Sequence, residues 1–196
     1  MNIINKNLVF KSLDYRKKID LIVLHHAAHS TCSVEDIHRW HLEKGWEGIG
    51  YHYFIDKKGL IFKGRPDNTI GAHCKGYNDT SLGICMQGNF MIESMPESQI
   101  KSLEWLLNRL CLQYAILVVK NHRDLKSTDC PGTNFPKLKL SEFIINDSSE
   151  KTYTVKKGDT LYSIALKYGI SVSDLKNING IESDIIIPNQ ILNIHK

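Results

Sequence analysis

The run Leu21-Ile22-Val23-Leu24, closed by His25 and His26, constrains the fold of this chain more than any other stretch. Consecutive aliphatic residues do not alternate between a wet and a dry face. A short unbroken run of this kind reads as a buried strand. Its end carries an imidazole to the edge of the sheet, where pockets form. Strand-like and helix-like segments alternate after it. Ser33, with Asp36 at the third helical position, reads as a helix start, and the helix runs to about Lys44 before Gly45. Tyr51 to Ile55 and Leu60 to Lys63 read as paired strands across the turn Asp56-Lys57-Lys58-Gly59, and Ser81 to Gln87 as another strand. From Ser98 to Tyr114, the residues Ile100, Leu103, Leu106, Leu107, Leu110, Cys111 and Tyr114 recur at helical spacing. Leu117 to Lys120 is a strand leading into His122. This order predicts an α/β fold, a mixed central sheet with packed helices.

Residues 146–151 (Asn-Asp-Ser-Ser-Glu-Lys) are polar and aperiodic and read as a linker. They divide the 196-residue chain into a domain of residues 1–145 and a small domain of residues 152–196. In the small domain, Thr152 to Val155 and Gln190 to Ile194 read as strands. Leu161 to Tyr168 and Val172 to Asn177 read as short helices, giving a βααβ unit. A core this small is marginal, and its many Ile, Leu and Val residues compensate.

The net charge of +4 is not gathered into a basic stripe, so nucleic acid is not an expected partner. Lys6, Lys11, Asp14, Arg16, Lys17 and Lys18 interrupt the N-terminal segment, which therefore lacks the apolar stretch of a signal peptide. No segment approaches a membrane span, so membrane insertion is not expected and synthesis in the cytoplasm is. Five scattered cysteines without a CxxC pair do not form a disulfide framework. Cys130 stands apart from the other four. It precedes the turn Pro131-Gly132, and the loop from His122 is long enough to return to a common point. Two imidazoles and a thiolate make a zinc site with a fourth position open to water. His25 and His26 point to opposite faces of a strand, so only one can join that site, and spacing does not choose between them.

Residues 20–132 closely resemble the zinc-dependent N-acetylmuramoyl-L-alanine amidases, the family of amidase-type phage lysozymes and animal peptidoglycan recognition proteins. The resemblance rests on LIVLHHAA (Leu21 to Ala28), GWEGIGYHYFIDKKGLIFKGRP (Gly45 to Pro66), GAHCKGYNDTSLGICMQGNF (Gly71 to Phe90) and NHR with TDCPG (Asn121 to Gly132), in that order. It implies one Zn2+ held by His25, His122 and Cys130. It implies that Tyr51 is catalytic, its hydroxyl bonding the reacting water or the developing oxyanion. His52, the strand neighbour of Tyr51, points the other way and is expected to be structural. Phage members often carry lysine where Thr128 stands, and animal members commonly carry threonine. Thr128 would then donate a hydrogen bond without a positive charge, leaving more of the stabilisation to zinc and Tyr51. Lys126 lies nearby but does not match the family position. His73 and Asn78 resemble positions that line the substrate groove. The implied reaction is hydrolysis of the amide between N-acetylmuramic acid and L-alanine in bacterial peptidoglycan.

Residues 152–196 resemble a LysM domain over their full length, through GDTL (Gly158 to Leu161), the turn Asn179-Gly180 and IPNQ (Ile187 to Gln190). The resemblance implies binding of an N-acetylglucosamine-containing glycan. Gly158, Asp159, Thr160 and Leu161 would line one side of a groove, and Ile186, Ile187 and Pro188 the other. Asn189 stands where the family usually has glycine, and asparagine tolerates positive φ. The combined expectation is an endolysin-type amidase, made in the cytoplasm and acting on the wall after release. A recognition protein without catalysis would be marked by a missing ligand, and all three are present. A cytosolic wall-recycling amidase would have no need of a wall anchor.

Overall fold

The computed structural model describes residues 1–114, 116, 118–138, 152–168 and 170–194. The expected linker, 146–151, lies outside the described residues. The chain separates into two compact units, one of residues 1–106 with 116–138, the other of residues 107–115 with 139–196.

The first unit is built on a six-stranded sheet. Its strands are β1 (Ile3–Asn5), β2 (Leu21–His26), β3 (Tyr53–Ile55), β4 (Ile61–Lys63), β5 (Ser81–Met86) and β6 (Val118–Asn121), in the order β1-β4-β3-β5-β2-β6. Only β3 and β4 pair antiparallel; every other neighbouring pair is parallel. The sheet is therefore mixed, as expected. β2 lies between β5 and β6, and all six of its residues are buried, which is what its unbroken apolar run requires. β1 was not foreseen. It is three residues long, and its parallel pairing with β4 leaves no periodic trace in the sequence.

Helix α1 (Val34–Glu43) begins at the expected cap. Ser33 Oγ accepts from the Asp36 N–H at 3.1 Å, and the Asp36 carboxylate accepts from the Ser33 N–H at 3.0 Å. Helix α2 (Glu97–Tyr114) carries two buried polar residues on its apolar stripe, and both are bonded to backbone. Gln99 Nε2 donates to the carbonyls of Ile55 and Gln87, and Ser102 Oγ donates to that of Gly59. These bonds fix the start of α2 against the β3–β4 turn. Beyond the N-terminal end of β3 the backbone pairing continues: Gly64 N–H donates to His52 O and Arg65 N–H to Tyr51 O. Tyr51 is thus held in place although it precedes the strand. The short helix α3 (His122–Leu125) follows β6 without a break.

The second unit pairs β7 (Thr152–Thr154) antiparallel with β8 (Ile191–Asn193), and carries helices α4 (Leu161–Tyr168) and α5 (Val172–Asn179). Its core is Tyr153, Val155, Leu161, Ile164, Ala165, Tyr168, Leu175, Leu192 and Ile194. α5 runs two residues past the sequence expectation. The Asn179 side chain donates to the Leu175 and Asn193 carbonyls and accepts from the Asn193 N–H, and Gly180 caps the helix at φ 62°.

Ser33→Ala removes half of the α1 capping box and is expected to lower stability by about 1 kcal/mol. Trp40, Trp46 and Trp105 all lie in the first unit, so denaturant unfolding followed by tryptophan fluorescence reads that unit. An unchanged midpoint would contradict the role given to the cap.

Candidate functional site

β2 and β6 are parallel, with Leu24 opposite Asn121. The next residue on each chain is a histidine, so His25 and His122 emerge level with each other at the carboxyl ends of neighbouring strands. Their ring centroids are 4.6 Å apart. The loop after α3 is folded back by two bonds from one residue: Arg123 N–H donates to Cys130 O at 2.9 Å, and its guanidinium donates to Gly132 O at 2.5 Å. This brings Cys130 Sγ to 3.7 Å from His25 Nδ1. One donor atom from each of His25, His122 and Cys130 lies within 4.8 Å of the others. The three residues line a cleft of about 520 Å³, together with Tyr51, Thr128, Asn89, Met91 and Asp129. His26 also borders this cleft, but its Nδ1 accepts from the Phe90 N–H at 3.1 Å. Of the two, His25 is the one whose donor atom is grouped with those of His122 and Cys130.

Burial holds the His25 imidazole well below its ordinary pKa, with His73 and His122 adding to the effect. Burial, then Lys126, lowers that of His122. Both rings are neutral near pH 7 and have a lone pair to give. Burial pushes the Cys130 thiol up to about 11, against the pull of the His26 backbone and Arg123. A thiol held that high ionises when a cation sits beside it, and metal binding releases its proton. Two neutral imidazoles and one thiolate, with a cleft on the remaining side, fit a zinc ion with one open position.

Tyr51 lies with its ring centroid 5.1 Å from that of His25. Burial raises its pKa well above the usual tyrosine value, with Cys85 and Cys130 contributing, so its hydroxyl stays protonated and can donate. The loop that delivers it is pinned by Gly50 N–H donating to His41 Nδ1 at 2.9 Å. Thr128 Oγ accepts from the Cys130 N–H at 3.3 Å, which leaves its own proton to donate into the cleft.

Two residues expected in the groove do not line this cleft. Asn78 Oδ1 accepts from the backbone N–H groups of His73 and Cys74, at 2.9 and 2.8 Å. Through this oxygen its side chain closes a turn. His73 stands behind His25, its Nδ1 3.0 Å from His25 Nε2. His52 is structural, as expected: Nδ1 accepts from the Gly83 N–H and Nε2 donates to Thr69 O. Asn89, Met91 and Asp129 were not singled out from sequence; they belong to loops, where no periodicity marks them.

In the second unit, Asn189 N–H donates to Val155 O and Val155 N–H to Gln190 O, so the loop after β7 and the turn before β8 lie side by side. Asn189 takes φ 72°, as its place in the turn requires. Two expected groove residues are committed elsewhere. Leu161 is 3% exposed and belongs to the core, and the Asp159 carboxylate accepts from the Tyr153 hydroxyl and the Lys156 N–H. Thr160 Oγ1 accepts from the Ser163 N–H at the start of α4. Ile186 packs against the core. Gly158, Ile187 and Pro188 remain exposed at the surface.

Residues 15–133 match the N-acetylmuramoyl-L-alanine amidase family, and residues 153–195 match the LysM domain. The endolysin of Klebsiella phage KP32 is 38% identical over 104 residues, which is 50% of this chain and 69% of that protein. The solved structure of N-acetylmuramoyl-L-alanine amidase LysC from Clostridium intestinale URNW superposes with a TM-score of 0.69 at 37% identity, covering 73% of this chain and 95% of that one. A mutant of Drosophila PGRP-LB in complex with tracheal cytotoxin superposes with a TM-score of 0.63 at 26% identity, covering 68% and 89%.

His122→Ala and Cys130→Ser are each expected to lose stoichiometric metal on dialysis while keeping the far-ultraviolet circular dichroism of the parent. Elemental analysis of the dialysed variants checks this. Full metal retention by either variant would remove that residue from the donor set.

Proposed function

The chain belongs to the N-acetylmuramoyl-L-alanine amidase family and carries a LysM domain, and on that premise we propose that it hydrolyses the peptidoglycan amide between N-acetylmuramic acid and L-alanine at a site where His25, His122 and Cys130 would hold one zinc ion. The observation that carries this reading is the convergence of three donor atoms within 4.8 Å at a cleft that also presents Tyr51 and Thr128. When bound, the zinc ion supplies a Lewis acid and a water that ionises near neutral pH. The protein's own residues do the rest. Cys130 is the only charged member of the donor set, so the site keeps a net positive charge toward the substrate carbonyl. The Tyr51 hydroxyl, kept protonated by burial, donates to the carbonyl oxygen as negative charge develops on it. Thr128 offers a second, uncharged donor. The cleft walls hold the amide against these groups.

The chain reads as a catalytic domain of residues 1–145, a linker of residues 146–151 and a LysM domain of residues 152–196. The LysM domain holds the enzyme on the wall by an N-acetylglucosamine-containing glycan. The exposed residues Gly158, Ile187 and Pro188 of the two adjacent loops are the contact surface we favour, with Thr160 beside them. The likeness to phage endolysins supports a protein made in the cytoplasm that reaches the wall after release. Among the described residues, no helix is long and apolar enough to cross a membrane.

Digestion of purified peptidoglycan is expected to release new L-alanine amino termini without new reducing sugar ends, and a zinc chelator is expected to abolish that release. Chelator-resistant activity would overturn the zinc reading. Tyr51→Phe should fold, retain zinc and lose about a hundredfold in kcat, the cost of one oxyanion donor at about 3 kcal/mol. Unchanged kcat in that variant would remove Tyr51 from the mechanism.

A further inference from the structure

His73 takes one of the two nitrogens of His25: His25 Nε2 lies 3.0 Å from His73 Nδ1, with the rings at 81° to each other. The direction of that hydrogen bond follows from what lies behind it. Ser81 Oγ donates to Tyr77 O at 2.6 Å, so its proton is already used. Toward His73 Nε2, 3.5 Å away, Ser81 Oγ can therefore only accept. The proton of His73 then sits on Nε2, and its Nδ1 carries the lone pair. His25 must donate from Nε2, which leaves His25 Nδ1 with a lone pair. That nitrogen is the one 3.7 Å from Cys130 Sγ. The Tyr77 carbonyl, through Ser81 Oγ, and the Ser81 backbone that also bonds His73 thus set the polarity of the chain Ser81, His73, His25.

The position of the His73 ring is enforced by two glycines. A Cβ on Gly83, inside β5, would come within 2.6 Å of His73 Cγ and Cδ2. A Cβ on Gly71 would come within 2.5 Å of His73 Cδ2. Glycine inside a strand forgoes side-chain packing and marks a close approach, and here what approaches is this imidazole. The backbone of His73 is held in turn by Asn78 Oδ1.

We infer that His73 is a positioning residue for the metal site: it locks His25 in the tautomer whose Nδ1 faces the metal, and its uncharged ring orients that ligand without adding negative charge. The inference rests on reading His25 as a zinc ligand. Ligating histidines ordinarily donate their second N–H to a carboxylate, a carbonyl or water, and losing that partner typically weakens metal binding. An imidazole acceptor does the same work while preserving the Lewis acidity of the site.

The test compares the full-length protein with His73→Ala, His73→Asn and His73→Gln, using three readouts: zinc dissociation constant by chelator competition, the visible spectrum of the cobalt-substituted protein, and the melting temperature without metal. Asparagine places an oxygen on Cγ, where Nδ1 stood, and keeps the acceptor toward His25. Glutamine carries its amide out toward the Nε2 position and leaves His25 unpaired. His73→Ala and His73→Gln are expected to bind zinc about 10- to 100-fold more weakly and to shift the cobalt spectrum. His73→Asn is expected to stay close to the parent, although its metal-free melting temperature falls with that of the glutamine variant. Zinc binding in His73→Ala as tight as in the parent would overturn the inference, as would an asparagine variant as weak as the alanine one. A parent protein that binds no zinc would overturn the zinc reading and this inference with it.

Discussion

The site depends on the parallel pairing of β2 with β6. A register that sets Leu24 against Asn121 makes the residues that follow them, His25 in β2 and His122 at the start of α3, emerge at the same height. A slip of one residue would send His25 to the opposite face and bring His26 into its place. The register is protected because β2 is buried along its whole length, with β5 on the other side pairing Leu21 with Ser81 through His26 with Met86. The apolar run that makes β2 central therefore also fixes the level of His25. Cys130 arrives by a different device, a loop drawn back onto its own start by Arg123.

A histidine that is 1% exposed at the end of a buried strand is costly to charge, and the surroundings of His25 are arranged to keep it neutral and oriented. Glycine at 83 lets His73 lie over β5, and Ser81 and the Tyr77 carbonyl settle which nitrogen carries which proton. Burial acts on Cys130 in the opposite sense, since it disfavours the thiolate that a cation would need. Neutral imidazoles and a suppressed thiolate balance when a doubly charged ion sits among them. Burial likewise raises the pKa of Tyr51 and keeps its hydroxyl protonated.

Much of this was legible in the sequence where the signal was local. The α1 cap was visible because Ser33 and Asp36 are three residues apart, and α2 because its apolar positions repeat over about four turns. β1, three residues paired with a strand far along the chain, left no pattern to read. The choice of His25 over His26 came from family resemblance, and the Phe90 N–H bonded to His26 supplies its physical reason. The placements that differed all turn on partners distant in sequence or on bonds that consume a side chain. His73 meets His25 across 48 residues, Asn78 Oδ1 is committed to its own turn, and Leu161 belongs to the core of the small domain. Motif matching assigned these residues to a groove because it records which residues recur, not where their polar atoms are bonded.

Two imidazoles and one thiolate, delivered by adjacent parallel strands and a returning loop, are proposed to hold a single zinc ion with one position open. X-ray absorption at the zinc edge of the purified full-length protein measures that donor set directly. The expected result is one zinc per chain with one sulfur at about 2.3 Å and nitrogen or oxygen neighbours at about 2.0 to 2.1 Å, four donors in all. A first shell without sulfur, or with more than one, would contradict it.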